Sequence, residues 1–291
     1  MNIITCAVAV VILHGFPGAF ANFTAINGSW EGEVLWKHDL ADQVRSSPVL
    51  SKSRVYVGSD SSNVYSLNRL TGETDWVFST GAKVSAPGVV ANNIFYIGSY
   101  DNILYALNTS TGAPLWNYST VSSVKVAPAL SSTDKVLMGS KDGIVTCLNS
   151  QTGAILWMYA SLYNGEHPLA ATKKRVFVGS NNFLYCIKTK NGKLSWEFDG
   201  GGSMATGAVL DGQGRVFVGS SSPSVFALHE KNGTVIWKFT CASQLKAELI
   251  LDTDKVYLLT ADRLLQALHI SDGTLAWEYD FDTDKVIICV N

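Results

Sequence analysis

The sequence has little charge and no excess of either sign. Only 16% of its 291 residues are Asp, Glu, Lys or Arg, and the formal net charge is −2. A protein that binds nucleic acid normally presents a strongly basic face, so we expect no nucleic-acid partner. Apolar residues make up 47% of the chain, which excludes a disordered protein and allows a large core.

Long apolar runs and sustained helical periodicity are also missing. The apolar run over residues 3–13 is too short to span a bilayer, and no later segment is longer, so we expect no transmembrane segment. This run is followed by Ala19-Phe20-Ala21, a small-x-small pattern that is typical of a signal-peptidase site. We predict a signal peptide over residues 1–21, although no Lys or Arg precedes its apolar run. The alternative is a buried N-terminal strand.

The common catalytic and metal-binding motifs are absent from the sequence. It has no Gly-x-Ser-x-Gly elbow, no phosphate loop ending in Gly-Lys-Ser/Thr, and no His, Cys and Asp cluster with metal-ligand spacing. No two of its cysteines are adjacent. We therefore predict that the protein is not an enzyme and that it binds no metal and no cofactor.

What the sequence does contain is a repeat of about 40 residues. Seven tryptophans follow one another at spacings of 39 to 41 residues, and each has a glycine four positions before it. A second column is an apolar run ending in Gly-Ser, as in Val55–Ser59 and again in Val176–Ser180. Polar turn residues between such runs indicate four short strands per repeat. The tryptophans are Trp36, Trp76, Trp116, Trp157, Trp196, Trp237 and Trp277.

Four strands in a repeat of this length are typical of a β-propeller blade. We predict an all-β fold, a propeller with six complete four-stranded blades and a depleted closing seventh. The propeller is expected over residues 33–291, after an N-terminal linker over 22–32. The seventh blade combines residues 33–40 with the C-terminal tail. A truncated eight-bladed protein is the alternative.

The repeat resembles the PQQ-like (quinoprotein-type) propeller repeat, most clearly over Leu104–Trp116. The resemblance covers residues 32 to about 280. It implies that the tryptophans dock between neighbouring blades and that the first strand of each blade lies along a central channel. The sequence is more similar to the scaffold propellers of outer-membrane assembly than to quinone dehydrogenases, which use adjacent cysteines and a calcium site.

Two cysteines lie in a column where the other repeats carry Ser or Ala. Cys147 and Cys186 are therefore expected to be buried thiols. Cys241 and Cys289 fall outside this column, and their spacing leaves open whether they pair.

Two sets of charged residues are not explained by packing of the repeat. A basic residue precedes most second strands, which either places a ring of positive charge on one face or is a set of solvated strand ends. At the opposite ends of the first strands, charged side chains replace small residues at the mouth of the expected channel. Because strand bodies are committed to packing, we predict that a ligand binds at this mouth. Its residues are Arg45, Lys125, Glu166, His167 and Lys246.

Five N-x-Ser/Thr sequons suit export through a glycosylating pathway. They are Asn22, Asn27, Asn108, Asn117 and Asn232. We expect a non-catalytic secreted scaffold, in an extracellular, periplasmic or luminal space, that binds a protein or glycan partner. A PQQ-dependent dehydrogenase and a fragment of a luminal sensor or receptor are the alternatives.

Overall fold

The structure is a computed structural model that describes residues 34–40, 43–160, 167–181 and 183–280, together with the backbone of residues 9–13 and 21–26. The described residues fall into two compact units, one up to Pro128 and one from Ala129 onward. Every regular element in them is a β-strand.

The first unit contains one three-stranded and two four-stranded antiparallel sheets. The three-stranded sheet comprises β1 (Ala9–Leu13), β2 (Ala21–Ile26) and β3 (Val34–Leu40). The next consists of β4 (Val49–Leu50), β5 (Arg54–Gly58), β6 (Asn63–Asn68) and β7 (Thr74–Ser79). The third consists of β8 (Val89–Ala91), β9 (Ile94–Gly98), β10 (Ile103–Asn108) and β11 (Pro114–Ser119).

The second unit contains four sheets with the same strand order. The first two are β12 (Ala129–Ser132), β13 (Lys135–Gly139), β14 (Ile144–Asn149) and β15 (Ile155–Ala160), then β16 (Ala170–Ala171), β17 (Arg175–Gly179), β18 (Phe183–Lys188) and β19 (Leu194–Asp199). The last two are β20 (Val209–Leu210), β21 (Arg215–Ser220), β22 (Ser224–His229) and β23 (Val235–Thr240), then β24 (Ile250–Leu251), β25 (Lys255–Leu259), β26 (Leu264–His269) and β27 (Leu275–Asp280).

The core lies on the second and third strands of each four-stranded sheet. In β5, Val55, Tyr56 and Val57 are all buried, because a strand covered on both faces favours a continuous run of β-branched and aromatic residues. The fourth strand is different. In β7 only Trp76 is buried, and its neighbours alternate toward solvent. Each sheet is therefore anchored by its middle strands and exposes its outer edge.

The tryptophan column joins one sheet to the next within each unit. The Trp76 indole donates a hydrogen bond to the carbonyl oxygen of Thr109 at 2.9 Å and packs on Gly112 of the following repeat. A Cβ atom on Gly112 would lie 2.7 Å from the indole, so only glycine leaves room for the ring. The same donation, at 2.8–3.1 Å, is made by Trp36, Trp157, Trp196 and Trp237.

The glycine near the end of most second strands is also required for steric reasons. A Cβ atom on Gly98 would lie 2.3 Å from the Val124 side chain, and one on Gly219 would lie 2.2 Å from that of Leu245. Val124 and Leu245 are buried residues just before the first strand of the next repeat. The Gly-Ser column thus creates the space into which the neighbouring repeat inserts.

The described residues confirm the all-β fold and the six complete blades, which are the six four-stranded sheets. For the seventh blade, the structure pairs β3 with β2, and β2 with β1, in antiparallel register. β2 thus lies within the segment expected to be a linker. The expected contribution of the C-terminal tail concerns residues 281–291, which lie outside the described part of the chain.

Candidate functional site

The predicted binding residues belong to the approach segments, defined as the four residues before each first strand. These segments are held to the preceding repeat through the backbone. The residue just before such a segment donates its N–H to the serine that follows a second strand, as from Val84 to Ser59 at 3.0 Å and from Met204 to Ser180 at 3.1 Å. Because this anchor uses only backbone atoms, the side chains of the approach segments are free to vary.

In the first unit, Arg45 is an exposed side chain with a carboxylate partner. Its Nε atom lies 2.8 Å from Oδ2 of Asp60, and its guanidinium also donates to the amide oxygen of Gln43 at 3.1 Å. The Arg45 side chain is 58% exposed, so the pair remains accessible to a ligand.

Lys125 lies over an aromatic ring that is not among the residues predicted from the sequence. Its Nζ atom is 4.9 Å from the centre of the Tyr100 ring, and the Nζ atom of Lys83 is 4.5 Å from the same centre. Both distances are within the range of a cation–π interaction. Two ammonium groups on one ring create a local excess of positive charge at this point.

In the second unit, Glu248 connects three consecutive repeats. Its Oε1 atom lies 3.1 Å from Nδ1 of His167, and its Oε2 atom accepts the backbone N–H of Gly207. Gly207 itself packs against Pro168, where a Cβ atom would lie 2.9 Å from the proline ring. The imidazole and the backbone amide hold the Glu248 carboxylate in place. The Glu248 side chain is nevertheless 44% exposed.

Glu248 is a residue that sequence reasoning missed. Glu248 is the third residue of its approach segment, whereas the residues predicted from the sequence are at the first and second positions. A comparison of the third position between repeats would have identified it as a departure from the repeat. In the other repeats this position holds Ser47, Pro87, Ala127, Pro168 and Gly207.

The remaining predicted residues are Lys246 and Glu166. Lys246 is exposed, and no carboxylate of the described residues lies within ion-pair distance of it. Glu166 lies outside the described residues. The structure therefore places Arg45 and Lys125 in the first unit and His167 and Lys246 in the second.

The column of basic residues before the second strands is neutralised by acidic partners. Each of the five has a carboxylate oxygen within 2.5–3.2 Å, so the column by itself does not form a ring of unpaired positive charge. The pairs are Arg54–Asp75, Lys135–Asp134, Arg175–Glu230, Arg215–Asp211 and Lys255–Asp254.

The described cysteines are buried and chemically inert. Cys147 and Cys186 are fully buried, as predicted, and burial raises the pKa of both thiols to about 12. Burial also raises the pKa of Cys241 to about 11, whereas Cys289 lies outside the described residues. In this part of the chain, no group of three or more His, Cys, Asp and Glu side chains is arranged to hold a metal ion.

We expect Cys147 and Cys186 to resist alkylation in the native protein. The thiolate is the reactive form, and with a pKa of about 12 only ~1 in 10,000 of these thiols is ionised at pH 8. The measurement is iodoacetamide labelling followed by mass spectrometry, with urea-unfolded protein as the control in which every cysteine reacts. Rapid native labelling of either residue would contradict the buried position.

The sequons differ in accessibility. Asn117 and Asn232 are exposed, on β11 and in the turn after β22. Asn108 is half-buried, and its amide oxygen accepts two backbone N–H groups of its own turn at 2.9 and 3.2 Å. Asn22 belongs to β2, and Asn27 lies outside the described residues. Their glycosylation stays a prediction.

A family model built on this repeat matches most of the chain. The model, described as outer membrane protein assembly factor BamB, matches residues 24–167, 141–207 and 181–289. The chain belongs to this family. BamB of Yersinia pestis is 32% identical over 81 residues, which cover 28% of this chain and 21% of the relative. The aligned part is thus about a fifth of that relative's length.

Solved structures share the fold with this member of the BamB family. BamB from Moraxella catarrhalis superimposes with a TM-score of 0.77 at 18% identity, covering 94% of this chain and 82% of the other. Quinohemoprotein alcohol dehydrogenase from Comamonas testosteroni gives a TM-score of 0.76 at 14% identity, with coverages of 95% and 66%. At such identities the likeness shows the β-propeller fold alone. The family match and the sequence relative confirm that the chain resembles BamB more than quinone dehydrogenases.

Proposed function

We infer that this protein is a non-catalytic, exported propeller that binds a protein partner during assembly of outer-membrane proteins. The observation that carries this inference is the match of the BamB family model, whose three overlapping ranges cover residues 24–289. Within the described residues, no helix has the length and apolar character needed to cross a membrane. A protein of this kind reaches its partner through its own surface.

The polar groups of the approach segments support a polar peptide or a sugar over a purely anionic ligand. They present both signs of charge in the Arg45–Asp60 pair, and Glu248 adds a carboxylate beside the His167 imidazole. Backbone amides and mixed-charge side chains of a peptide can pair with both signs, and so can sugar hydroxyl groups, which both donate and accept hydrogen bonds. The family match favours the peptide. We therefore assign partner binding to Arg45, Lys125, His167 and Lys246, together with Glu166 and the added Glu248.

A quinone-dependent oxidoreductase is the second candidate, because such an enzyme shares the fold. Its resemblance to this chain is limited to 14% identity, and the sequence has no adjacent cysteines to form the disulfide expected beneath the quinone. Adding pyrroloquinoline quinone and calcium and following the melting temperature separates the two candidates, since a bound ligand raises it. The scaffold function predicts no shift.

The test of the proposed function is complementation. A bacterium lacking its own BamB receives this chain behind the native BamB export signal, and the level of outer-membrane proteins is measured. We expect at least partial restoration. Restoration that requires added quinone, or no restoration despite correct export and folding, would contradict the proposal.

We expect the triple variant Arg45→Ala, Lys125→Ala, Lys246→Ala to lose this complementation while keeping its melting temperature within a few degrees. Exposed charges of this kind contribute no more than about 1 kcal/mol each to stability. The matched control is Lys37→Ala, Lys52→Ala, Lys141→Ala, which removes three exposed lysines outside the approach segments. Equal loss in both variants would show a general effect of charge instead of a site.

Export gives a further prediction. In a secretory host the mature protein is expected to begin at Asn22, because Ala19-Phe20-Ala21 matches the signal-peptidase pattern. N-terminal sequencing of the secreted protein measures this directly. Secreted protein that retains Met1 would instead support the alternative, in which residues 9–13 stay with the fold as β1.

A further inference from the structure

A concave pocket of the second unit is lined almost entirely by basic side chains. It has a volume of about 360 Å³ and lies between the sheets β12–β15 and β16–β19. Its basic residues are Lys135, Lys173, Lys174, Arg175, Lys188 and Lys190, and Ser195 adds a hydroxyl group. The chain as a whole has a net charge of −2, so this concentration of positive charge is local.

The charge of this pocket is a departure from the repeat, and most of it comes from the fourth repeat. Two turns supply most of the lining, the turn between the first and second strands and the turn between the third and fourth. In the fourth repeat these turns, residues 172–175 and 188–193, contain six basic residues and no acidic one. The corresponding turns of the other five repeats have net charges between −2 and +2. Packing of the repeat therefore does not require these lysines.

Most of this charge has no partner among the residues that the structure describes. Lys135 pairs with Asp134 at 3.2 Å, and Arg175 pairs with Glu230 at 3.1 Å. For Lys173, Lys174, Lys188 and Lys190, no described carboxylate is within ion-pair distance. The six basic and two acidic side chains leave an excess of four positive charges around one pocket. Like charges that line one pocket repel one another, and a bound anion relieves the repulsion.

We propose that this pocket binds a multivalent oxyanion, the phosphate or sulfate group of a polyanionic ligand. Its volume is at the low end for ligand pockets, so it holds one or two such groups instead of a folded element. Planar carboxylates are best recognised by a bidentate arginine, but the Arg175 guanidinium is already engaged by Glu230. The unpaired lysines are compact point charges, which suit a tetrahedral anion.

This site is distinct from the approach segment of the same repeat and does not depend on the proposed scaffold function. Along the chain, His167 precedes β16 and Lys173 follows it, so the two lie at opposite ends of the same strand. Binding of an oxyanion therefore leaves the approach segment of this repeat open.

The test measures binding of tripolyphosphate by isothermal titration calorimetry at low salt and at about 0.15 M salt. The variant Lys174→Gln, Lys188→Gln, Lys190→Gln is expected to bind about tenfold more weakly or worse, because it removes half of the pocket's basic residues. The control Lys37→Gln, Lys52→Gln, Lys141→Gln has the same net charge and is expected to bind like the unchanged protein. The channel-mouth variant of Arg45, Lys125 and Lys246 should also bind normally.

Two further probes distinguish the source of the anion. Binding of a sulfated oligosaccharide or of vesicles containing phosphatidylglycerol, with loss in the pocket variant, supports the proposal and identifies a glycan or a lipid source. Equal weakening in the control variant would overturn the proposal, because it shows only nonspecific charge. So would the absence of binding to all three probes, or binding of hexaglutamate as tight as that of tripolyphosphate, which would make the pocket a site for acidic peptides.

Discussion

Replacing Trp76 with alanine is expected to destabilise the protein by about 3–5 kcal/mol, the usual cost of truncating a large buried aromatic side chain. The indole is only 8% exposed, contacts the Tyr56 ring at 5.8 Å between ring centres, and donates to the buried carbonyl of Thr109. Its removal leaves a cavity beside Gly112 and an unpaired carbonyl oxygen, and both effects lower the free energy of unfolding. Urea denaturation followed by circular dichroism measures the change.

The chain provides a matched control in the same column of the repeat. Trp277 has the same sequence context but is 41% exposed, so its side chain buries less surface and Trp277→Ala should cost clearly less. Trp76→Phe keeps an aromatic ring and loses the N–H donor, and its cost should lie between the two. If Trp76→Ala and Trp277→Ala were equally mild, the tryptophan column would not be a packing feature.

The blade architecture was predictable because its determinants recur in nearly every repeat. A glycine four residues before a tryptophan is explained by a contact between neighbouring repeats, the indole on the glycine, and this contact repeats with the sequence period. The Gly-Ser column is also explained by a contact between neighbouring repeats, since Gly98 and Gly219 both accommodate a side chain of the next repeat. A steric requirement that recurs at a fixed spacing is visible in one sequence without any structure.

The contacts of the candidate site were less predictable, since they join residues that occupy different columns. The pairing of Glu248 with His167 spans 81 residues, and the stacking of Lys83 and Lys125 on Tyr100 brings together three positions of the repeat. Spacing can identify a side chain that breaks the pattern, as it did for His167 and Lys125. It cannot identify the partner, which depends on how neighbouring sheets are aligned.

The column of basic residues before the second strands is another case in which spacing does not identify the partners. Its basic residues are in register, but only two of their partners, Asp134 and Asp254, occupy equivalent positions. Asp75 belongs to β7, Glu230 belongs to the following repeat, and Asp211 lies in the turn before β21. A regular column of cations therefore suggested a charged ring that irregularly placed carboxylates neutralise. The pocket lysines of the fourth repeat differ from this column, because no carboxylate of the described residues lies within ion-pair distance of them.

Replacing Gly112 with alanine is the second prediction with a large expected effect, because two costs coincide at this residue. Its φ angle is +71°, a left-handed conformation that costs alanine about 1–2 kcal/mol relative to glycine. An added Cβ would also lie 2.7 Å from the Trp76 indole, and relieving this overlap costs a further ~1–3 kcal/mol. We therefore expect a loss of about 2–5 kcal/mol in the free energy of unfolding.

Gly212→Ala separates the two costs. Gly212 has the same φ angle of +71°, but no atom of the described residues lies within 4 Å of the position that a Cβ would take there, so only the backbone cost remains. Its expected loss is about 1–2 kcal/mol, and the difference between the two variants, measured by urea denaturation, isolates the contact with Trp76. In a Trp76→Ala background the indole is gone, so Gly112→Ala should then cost no more than Gly212→Ala. A Gly112 variant that remained equally destabilising in that background would show that its cost does not come from the tryptophan, and that the glycine is required by the turn alone.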